Sequence, residues 1–229
     1  MQQYKIVVQG TRKIIPYLKN YIKIPHKISY FTKQNENYFN MLKKADVAVT
    51  MSWGRTMWGG TNTLKIPTVD QLKLIHLPGA GTDAINFSQL PKNCKVCNVY
   101  EHEIPIAEYC VANILNWEMN LVEKITKFKK LNWSDCMIFD GPTHNELFNK
   151  TIGILGYGKI GKEIAKRIKP FGTKLIGYSR KVTKKDKYLS NICISKDLKK
   201  SAADLDYLII SCPLTDKTKN MININIFKS

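Results

Sequence analysis

The feature that most constrains the fold is a run of six residues in the second half of the chain, GYGKIG at residues 156–161. A short apolar run at residues 151–155 precedes it directly and predicts a strand. Behind it, Ile160, Ile164 and Ile168 recur every fourth residue, which predicts a helix with one buried face. A second apolar run follows at residues 174–178. Strand, glycine-rich turn, helix and strand in this order are typical of a βαβ unit that binds a dinucleotide.

Each glycine of this run has a physical reason. Gly156 permits a tight turn, Gly158 lets the backbone approach a diphosphate, and Gly161 lets helix and strand pack closely. Free amides and the positive end of the helix then hold the phosphates. The alternative, a glycine-rich turn in some other βαβ protein, is disfavoured by the complete strand–turn–helix–strand context.

The end of the second strand bears on the choice of dinucleotide. An NAD site usually places Asp or Glu there to bind the ribose hydroxyls, whereas this chain has Ser179, Arg180 and Lys181, and its next carboxylate is Asp186. Two cations and a hydroxyl suit a 2′-phosphate. The residues therefore favour NADP over NAD, with the alternative that these charges are merely solvated.

The remaining sequence predicts an α/β protein with largely parallel sheets, because strand-like and helix-like segments alternate. The first hundred residues predict strands at 5–9, 27–31, 46–51, 72–77 and 95–99, and helices near 12–21, 36–44 and 63–71. A long helix is predicted at about 106–130, a loop at 132–149, and further strands at 192–194 and 206–212.

Charge and cysteine content exclude several classes. The net charge is +18, but four basic residues are arginines and the lysines are scattered, so we expect no nucleic-acid partner. No apolar run is long enough to cross a membrane, and the start lacks a secretory signal, so we expect a cytoplasmic protein with free thiols and no membrane contact. Cys94 and Cys97 form a CxxC without a second pair, and we interpret them as structural rather than as metal ligands.

Four segments together resemble one known family, the D-isomer-specific 2-hydroxyacid dehydrogenases. Residues 146–161 (ELFNKTIGILGYGKIG) resemble the opening of its cofactor domain, and residues 77–83 (LPGAGTD) its substrate-carboxylate loop. Residues 104–109 (IPIAEY) resemble the start of its long hinge and dimer helix, and residues 211–218 (SCPLTDKT) its last cofactor loop. The four matches occur in the family's order and span most of the chain.

The resemblance implies a fold and a set of sites. It implies a flavodoxin-like substrate domain at residues 1–102 and an incomplete doubly wound Rossmann domain that binds NAD(P) at residues 103–229. A homodimer through the helix at 106–130 is also implied. Backbone amides of Gly79, Ala80 and Gly81 would bind a substrate carboxylate; Trp53 would shape the pocket or, as the alternative, belong to the core. Positions that match dinucleotide contacts of the family are Lys159, Ile160, Ser179, Arg180, Cys212, Pro213 and Thr218.

The implied function is hydride transfer between NAD(P)H and a small 2-oxo or 2-hydroxy acid such as glyoxylate, hydroxypyruvate or phosphoglycerate. The family's catalytic Arg, Glu and His lie beyond residue 218, and His26, His76, His102 and His144 match none of them. We therefore expect a C-terminally truncated chain, inactive alone, since the apolar run at 207–210 also predicts a strand that needs a further neighbour. The alternative is a dinucleotide-sensing binding protein of the corepressor type.

Overall fold

The computed structural model describes residues 3–56, 65–136, 141–181 and 186–228. The chain forms two compact units. The first contains Met1–Tyr100 with Pro213–Thr215, and the second contains Glu101–Cys212 with Asp216–Ser229. The sequence predicts the boundary near residue 102.

The first unit is built on a parallel sheet of five strands in the order β2-β1-β3-β4-β5, which is the order of flavodoxin-like sheets. Its strands are β1 (Tyr4–Gln9), β2 (His26–Phe31), β3 (Val47–Val49), β4 (Leu74–His76) and β5 (Lys95–Cys97). Its helices are α1 (Ile15–Tyr21) and α2 (Glu36–Leu42), with 3-10 turns at Arg12–Ile14 and Phe87–Gln89.

Both faces of this sheet are covered, which explains its nearly continuous apolar strands. On β1, Val7 packs into one buried cluster, whereas its neighbours Ile6 and Val8 pack into another. The larger cluster also holds Leu42 of α2 and Ile75 of β4. Successive strand residues point to opposite faces, so the two clusters lie on the two sides of the sheet.

One predicted helix of the first unit is wrong. Residues 65–71, the described part of the helix expected at 63–71, are irregular and end in a turn. Pro67 disfavours the helical conformation at Ile66 and provides no amide for a helical hydrogen bond. Residues 63 and 64 lie outside the described part of the chain.

The second unit contains a parallel sheet of four strands in the order β8-β7-β6-β9, the first part of the Rossmann strand order. Its strands are β6 (Thr151–Leu155), β7 (Lys174–Ser179), β8 (Asn191–Ile194) and β9 (Tyr207–Ile210). Its helices are α3 (Glu103–Met119), α4 (Leu121–Lys129), α5 (Lys159–Ile168), α6 (Leu198–Ser201) and α7 (Ile224–Phe227), with 3-10 turns at Ser134–Cys136, Lys169–Phe171, Ser195–Asp197 and Ala202–Asp204.

This sheet is also buried on both sides, and the two parallel sheets confirm the predicted α/β class. Ala107 and Ile114 of α3 pack with Ile164 and Ile168 of α5 over one face. A second cluster around Leu198 covers the other face. Within the described residues β9 pairs with β6 alone, and its last residue is largely exposed.

The long helix predicted at 106–130 is two helices. Asn120 ends α3 in the left-handed conformation, with φ 50°, and α4 begins at the next residue. Asparagine tolerates this conformation better than most residues. The side chain of Asn116 then accepts a hydrogen bond from the Val122 amide, 3.2 Å away, across the break. The hydrophobic periodicity continues through the break, which is why the sequence pattern alone did not show it.

None of the helices in the described part of the chain is both long enough and apolar enough to cross a membrane.

Candidate functional site

The turn between β6 and α5, at residues 156–161, is the centre of the candidate site; we call it the glycine turn. The amides of Gly156 and Tyr157 both donate to the carbonyl of Tyr178 in β7, at 2.8 and 3.3 Å. The Gly158 amide donates back to the Gly156 carbonyl at 2.7 Å, which closes the turn. α5 then begins at Lys159 with no side chain capping its first amides. Such a helix start offers amides and positive potential to an anion.

The three glycines of this turn meet different surroundings. A Cβ atom on Gly156, which has φ +95°, would lie 2.4 Å from the Cys212 amide nitrogen. A Cβ on Gly161 would lie 2.8 Å from the Gly156 carbonyl oxygen. A Cβ on Gly158 would meet no atom within 4 Å. Neighbouring atoms of the protein therefore leave no room for a side chain at the first and last glycine. Gly158, by contrast, borders open space that a ligand can enter.

The segment after β9 completes this side of the turn. The Ser211 amide donates to the Leu155 carbonyl at 2.8 Å, and its hydroxyl donates to the Gly156 carbonyl at 2.9 Å. Cys212 is thereby brought against Gly156. Burial raises the pKa of the Cys212 thiol, so it is neutral near pH 7. Pro213 groups with the first compact unit and Thr218 with the second.

The end of β7 presents two cations. Arg180 and Lys181 are exposed, and among the described residues neither forms an ion pair with a carboxylate. The Ser179 hydroxyl donates to the Lys181 carbonyl, so its proton is already used within the protein. The expected hydrogen bond from Ser179 to a phosphate is therefore not available in this conformation, because the local turn uses that donor.

The Gly79 loop, residues 79–81, follows β4 in the first unit. Two of its carbonyls are held by the protein: Gly79 accepts from the Val99 amide at 3.4 Å, and Ala80 accepts from the Asn98 side chain at 2.9 Å. Within the described part of the chain, no hydrogen bond uses the amides of Gly79, Ala80 and Gly81 as donors. Held carbonyls and free amides suit the predicted carboxylate site.

Trp53 takes the core role that the sequence left open. Its side chain is 0% exposed, it belongs to the larger core cluster of the first unit, and its Nε1 donates to the Gln89 carbonyl at 3.1 Å. A ring with no exposed surface does not line a pocket within its own unit. The expectation that Trp53 shapes a pocket is therefore corrected, and the burial of such an aromatic ring explains its place.

Three of the four imidazoles make local contacts. His26 and His144 each lie 2.8 Å from a backbone carbonyl, and His76 lies 3.1 Å from the Cys97 sulfur. Burial lowers the pKa of His76 and raises that of Cys97, so both partners are neutral near pH 7. Nδ1 of His102 is buried and has no partner in the described part. The described residues contain no group of three side chains able to hold a metal ion.

The family profile described as "D-isomer specific 2-hydroxyacid dehydrogenase, NAD binding domain" matches residues 111–229 of this chain, slightly more than half of it. The chain belongs to this family. The match includes the whole glycine turn and the segment after β9, and it confirms the resemblance found in the motifs. It also assigns the second unit to an NAD-binding domain, as predicted, which supports NAD as a cofactor and gives no support to the expected preference for NADP.

The relatives of this chain carry names of different activities. It is 29% identical over 191 residues to the D-3-phosphoglycerate dehydrogenase of Methanocaldococcus jannaschii, covering 82% of this chain and 34% of the relative. It is 29% identical over 154 residues to the hydroxypyruvate reductase of Thermotoga maritima, covering 66% of this chain and 48% of the relative. The chain thus spans between a third and a half of the length of these relatives.

Solved structures of the family share the fold. The D-lactate dehydrogenase of Aquifex aeolicus, solved with NAD and lactic acid, superimposes with a TM-score of 0.74 at 24% identity, covering 97% of this chain and 65% of that one. D-2-hydroxyisocaproate dehydrogenase superimposes with a TM-score of 0.69 at 22% identity, covering 98% and 70%. At these identities the likeness concerns the fold.

The sequence analysis assigns no role to one residue of the candidate site. Tyr157 lies between two glycines, and its hydroxyl donates to Asp186 at 2.6 Å. The two residues are 29 positions apart, and no spacing rule links them. The one available signal was the position of Asp186 as the first carboxylate after the second strand.

Proposed function

We propose that the protein works as an NAD(P)-dependent dehydrogenase that interconverts a small 2-oxo acid and the corresponding 2-hydroxy acid. The observation that carries this proposal is the glycine turn, which is closed by its own backbone and open at Gly158. The family membership supports the reaction class, and the named relatives support substrates such as hydroxypyruvate, glyoxylate and phosphoglycerate.

Two sets of backbone amides are assigned to the two ligands, the dinucleotide and the acid. A nicotinamide dinucleotide, when bound, exchanges a hydride with C2 of the acid. The amides at the start of α5 hold the diphosphate, and the free amides of the Gly79 loop hold the carboxylate. No residue of this chain is assigned to the accompanying proton transfer. We therefore expect the 229-residue chain by itself to bind a dinucleotide without turnover.

Titration of the protein with NADH and NADPH, followed by nucleotide fluorescence, tests the cofactor step. Saturable binding of at least one of them is the expected result. Absence of binding to either at millimolar concentration would contradict the proposal. A screen of 2-oxo acids with the full gene product tests the reaction, and bound nucleotide without turnover of any of them would favour the corepressor-type alternative.

We further propose that the site accepts NADPH more readily than NADH. Arg180 and Lys181 are exposed, carry no ion pair among the described residues, and follow the strand whose end lies beside the adenosine ribose in Rossmann domains. Arg180→Ala is expected to weaken NADPH binding about tenfold and to leave NADH binding unchanged, as expected for a lost charged contact to phosphate. Arg12→Ala, in the other unit, is the control. Tighter binding of NADH than NADPH by the unmodified protein would refute this preference.

We also propose a homodimer through α3 and α4. Large apolar side chains are exposed along these helices, among them Tyr109 at 70% and Trp117 at 78%, and Val122, Ile125 and Phe128 follow at three-residue spacing. An apolar surface of this kind is typical of an interface. Ile125→Glu is expected to convert a dimer to a monomer in light scattering, with Lys124→Glu as the control. A monomeric unmodified protein would contradict the proposal.

The compartment is proposed on chemical grounds. Cys94, Cys97, Cys110, Cys193 and Cys212 are free thiols, which suits the reducing cytoplasm. We expect neither nucleic acid nor membrane as a partner. Elution from heparin below physiological salt would agree with this, and retention above it would not.

A further inference from the structure

Tyr157 has an environment unlike that of the other residues of the glycine turn. Its ring lies on the backbone of β7, because a Cβ atom on Gly177 would come within 3.2 Å of Cγ and 3.3 Å of Cδ2 of the ring. Its amide donates to the Tyr178 carbonyl of the same strand at 3.3 Å. The side chain is half-buried and packs on the cluster that contains Leu189. The ring, together with Cδ1 of Leu189 at 2.8 Å, therefore occupies the space that the missing side chain of Gly177 leaves free.

The hydroxyl of Tyr157 completes a bridge to a carboxylate. It donates to Oδ2 of Asp186 at 2.6 Å, and Oδ1 of the same carboxylate accepts from the Tyr188 amide at 3.0 Å. Both oxygens of Asp186 are thus engaged. Burial, followed by the hydrogen bond to Asp186, raises the pKa of Tyr157, so the phenol remains protonated and continues to donate well above pH 7. A hydrogen bond to a charged acceptor is stronger than one between neutral groups.

The bridge joins two parts of the second unit that are far apart in sequence. Tyr157 sits between Gly156, which is packed against the Cys212 backbone, and Gly158, which borders open space. Asp186 begins the segment that leads into β8. Fixing the Tyr157 ring at its far end restricts the backbone between the two glycines. A turn restricted before the ligand arrives loses less entropy on binding.

We propose that Tyr157 and Asp186 form a positioning pair that holds the glycine turn in its binding conformation and so raises affinity for NADH and NADPH alike. This proposal rests on the proposed function of the turn. Both nucleotides carry the same diphosphate, so a pair that acts through the turn affects them equally. A pair that served the packing of the unit alone would change stability and leave nucleotide affinity as it was.

Tyr157→Phe tests the pair, because it keeps the ring on Gly177 and removes the donor. Tyr207→Phe is a matched control: its hydroxyl donates to the Glu118 carboxylate at 2.5 Å, and its ring is partly buried in the second unit, outside the glycine turn. We expect Tyr157→Phe to raise the dissociation constants of NADH and NADPH by a similar factor, about threefold to tenfold for a lost hydrogen bond to a charged group. Tyr207→Phe is expected to leave both constants within about twofold of the unmodified protein.

Asp186→Asn tests the acceptor of the pair. The asparagine amide keeps one acceptor oxygen for one partner but lacks the negative charge of the carboxylate. It is expected to reproduce the direction of the Tyr157→Phe effect, and the double variant is expected to be no weaker than the worse single variant. Unchanged constants in Tyr157→Phe, or a loss confined to NADPH, would overturn the proposal.

Amide hydrogen exchange separates this proposal from the proposed function. Without any nucleotide, Tyr157→Phe is expected to speed exchange at residues 156–161 relative to Tyr207→Phe. If the unmodified protein binds neither nucleotide, the function of the turn fails, and equal exchange in the two variants would show that the pair does not hold the turn either.

Discussion

The sheets of the two units share one arrangement at the amino ends of their strands: an aspartate that exchanges two hydrogen bonds with the neighbouring strand. Asp46, just before β3, accepts from the Lys5 amide at 2.9 Å and donates its own amide to the Lys5 carbonyl at 2.9 Å. Asp206, just before β9, makes the same pair of bonds with Thr151 at 2.8 and 2.9 Å. Each carboxylate also meets a lysine, Lys73 in the first unit and Lys150 in the second.

The carboxyl ends of the two sheets differ. In the glycine turn, Cβ atoms on Gly156 and Gly161 would strike backbone atoms. In the Gly79 loop, a Cβ on Gly79 would meet the Met51 side chain at 3.3 Å, and one on Gly81 would meet the Asp83 side chain at 2.4 Å. Side-chain ends can move, whereas the backbone of a packed sheet cannot do so cheaply.

The two loops are therefore held by different forces. At the amino ends of both sheets, the aspartates extend the hydrogen bonding between neighbouring strands and so stabilise the fold. The glycine turn is fixed by backbone packing, so its shape is set before any ligand binds. The Gly79 loop depends on a few hydrogen bonds, and it can adjust to what it binds. Six substitutions, in four experiments, test how the loops and the amino ends of the two sheets are held.

Gly156→Ala is expected to have the largest effect. The new Cβ would overlap the Cys212 backbone, and alanine is strained at φ +95°. The free energy of unfolding should fall by about 3 kcal/mol or more, with loss of nucleotide binding. Urea denaturation measures the first and fluorescence titration the second. Gly79→Ala is the matched control and should cost less than about 1 kcal/mol; equal losses in both would break the comparison.

Gly158→Ala separates binding from stability. No atom lies within 4 Å of its new Cβ, so the free energy of unfolding should stay within about 0.5 kcal/mol of the unmodified value. The methyl group would nevertheless occupy the space through which the diphosphate approaches the backbone. Nucleotide affinity should fall about tenfold or more, which corresponds to about 1.4 kcal/mol. Full affinity in this variant would place the ligand elsewhere.

Asn98→Ala tests the Gly79 loop, since it removes the hydrogen bond to the Ala80 carbonyl. We expect the free energy of unfolding to fall by about 1 kcal/mol, as for a partly exposed hydrogen bond. Amide exchange should increase at residues 79–81 and stay constant in the glycine turn. Nucleotide affinity should not change. Slower or equal exchange in the loop would show that other contacts hold it.

The acid dependence of stability is expected to show the smallest effect. Hydrogen bonds from the Thr151 amide and then from Lys150 lower the pKa of Asp206, and hydrogen bonds from Lys5 and Lys73 lower that of Asp46 against an opposing effect of burial. A lowered pKa in the folded state stabilises the protein above the unfolded value, about 3.9, and that contribution disappears as the pH falls through the folded value.

Asp206→Asn and Asp46→Asn should therefore each lower stability near pH 7 and flatten its decline between about pH 5 and pH 3. Denaturant unfolding across this range measures both. Because both groups are partly solvent-exposed, the two effects should be small and similar. A large effect at one site alone would show that the two aspartates contribute differently to the stability of their sheets.

Much of the architecture was predictable, because local patterns specify it. β6 has the predicted bounds, and the apolar faces of α2 and α5 follow helical spacing. The predicted helix at 63–71 failed where Pro67 outweighed the apolar spacing. The break at Asn120 was missed because the apolar spacing is the same on both sides of it.

The candidate site was predictable in its backbone and less so in its side chains. The spacing of the glycines predicts the turn, because a position with no room for a side chain must be glycine and is therefore visible in the sequence. Which partner a polar side chain chooses depends on what lies nearby in space. For that reason the hydrogen bonds of Ser179 to Lys181 and of Tyr157 to Asp186 were not foreseen.

The parallel α/β architecture, the glycine turn and the family can be read from the amino-acid sequence, because they depend on residues close together in the chain and on periodic burial. The folded structure was needed to show that Trp53 belongs to the core, that Gly158 borders open space while Gly156 does not, and that Tyr157 reaches Asp186. Those outcomes depend on contacts between segments that meet only when the strands have packed side by side.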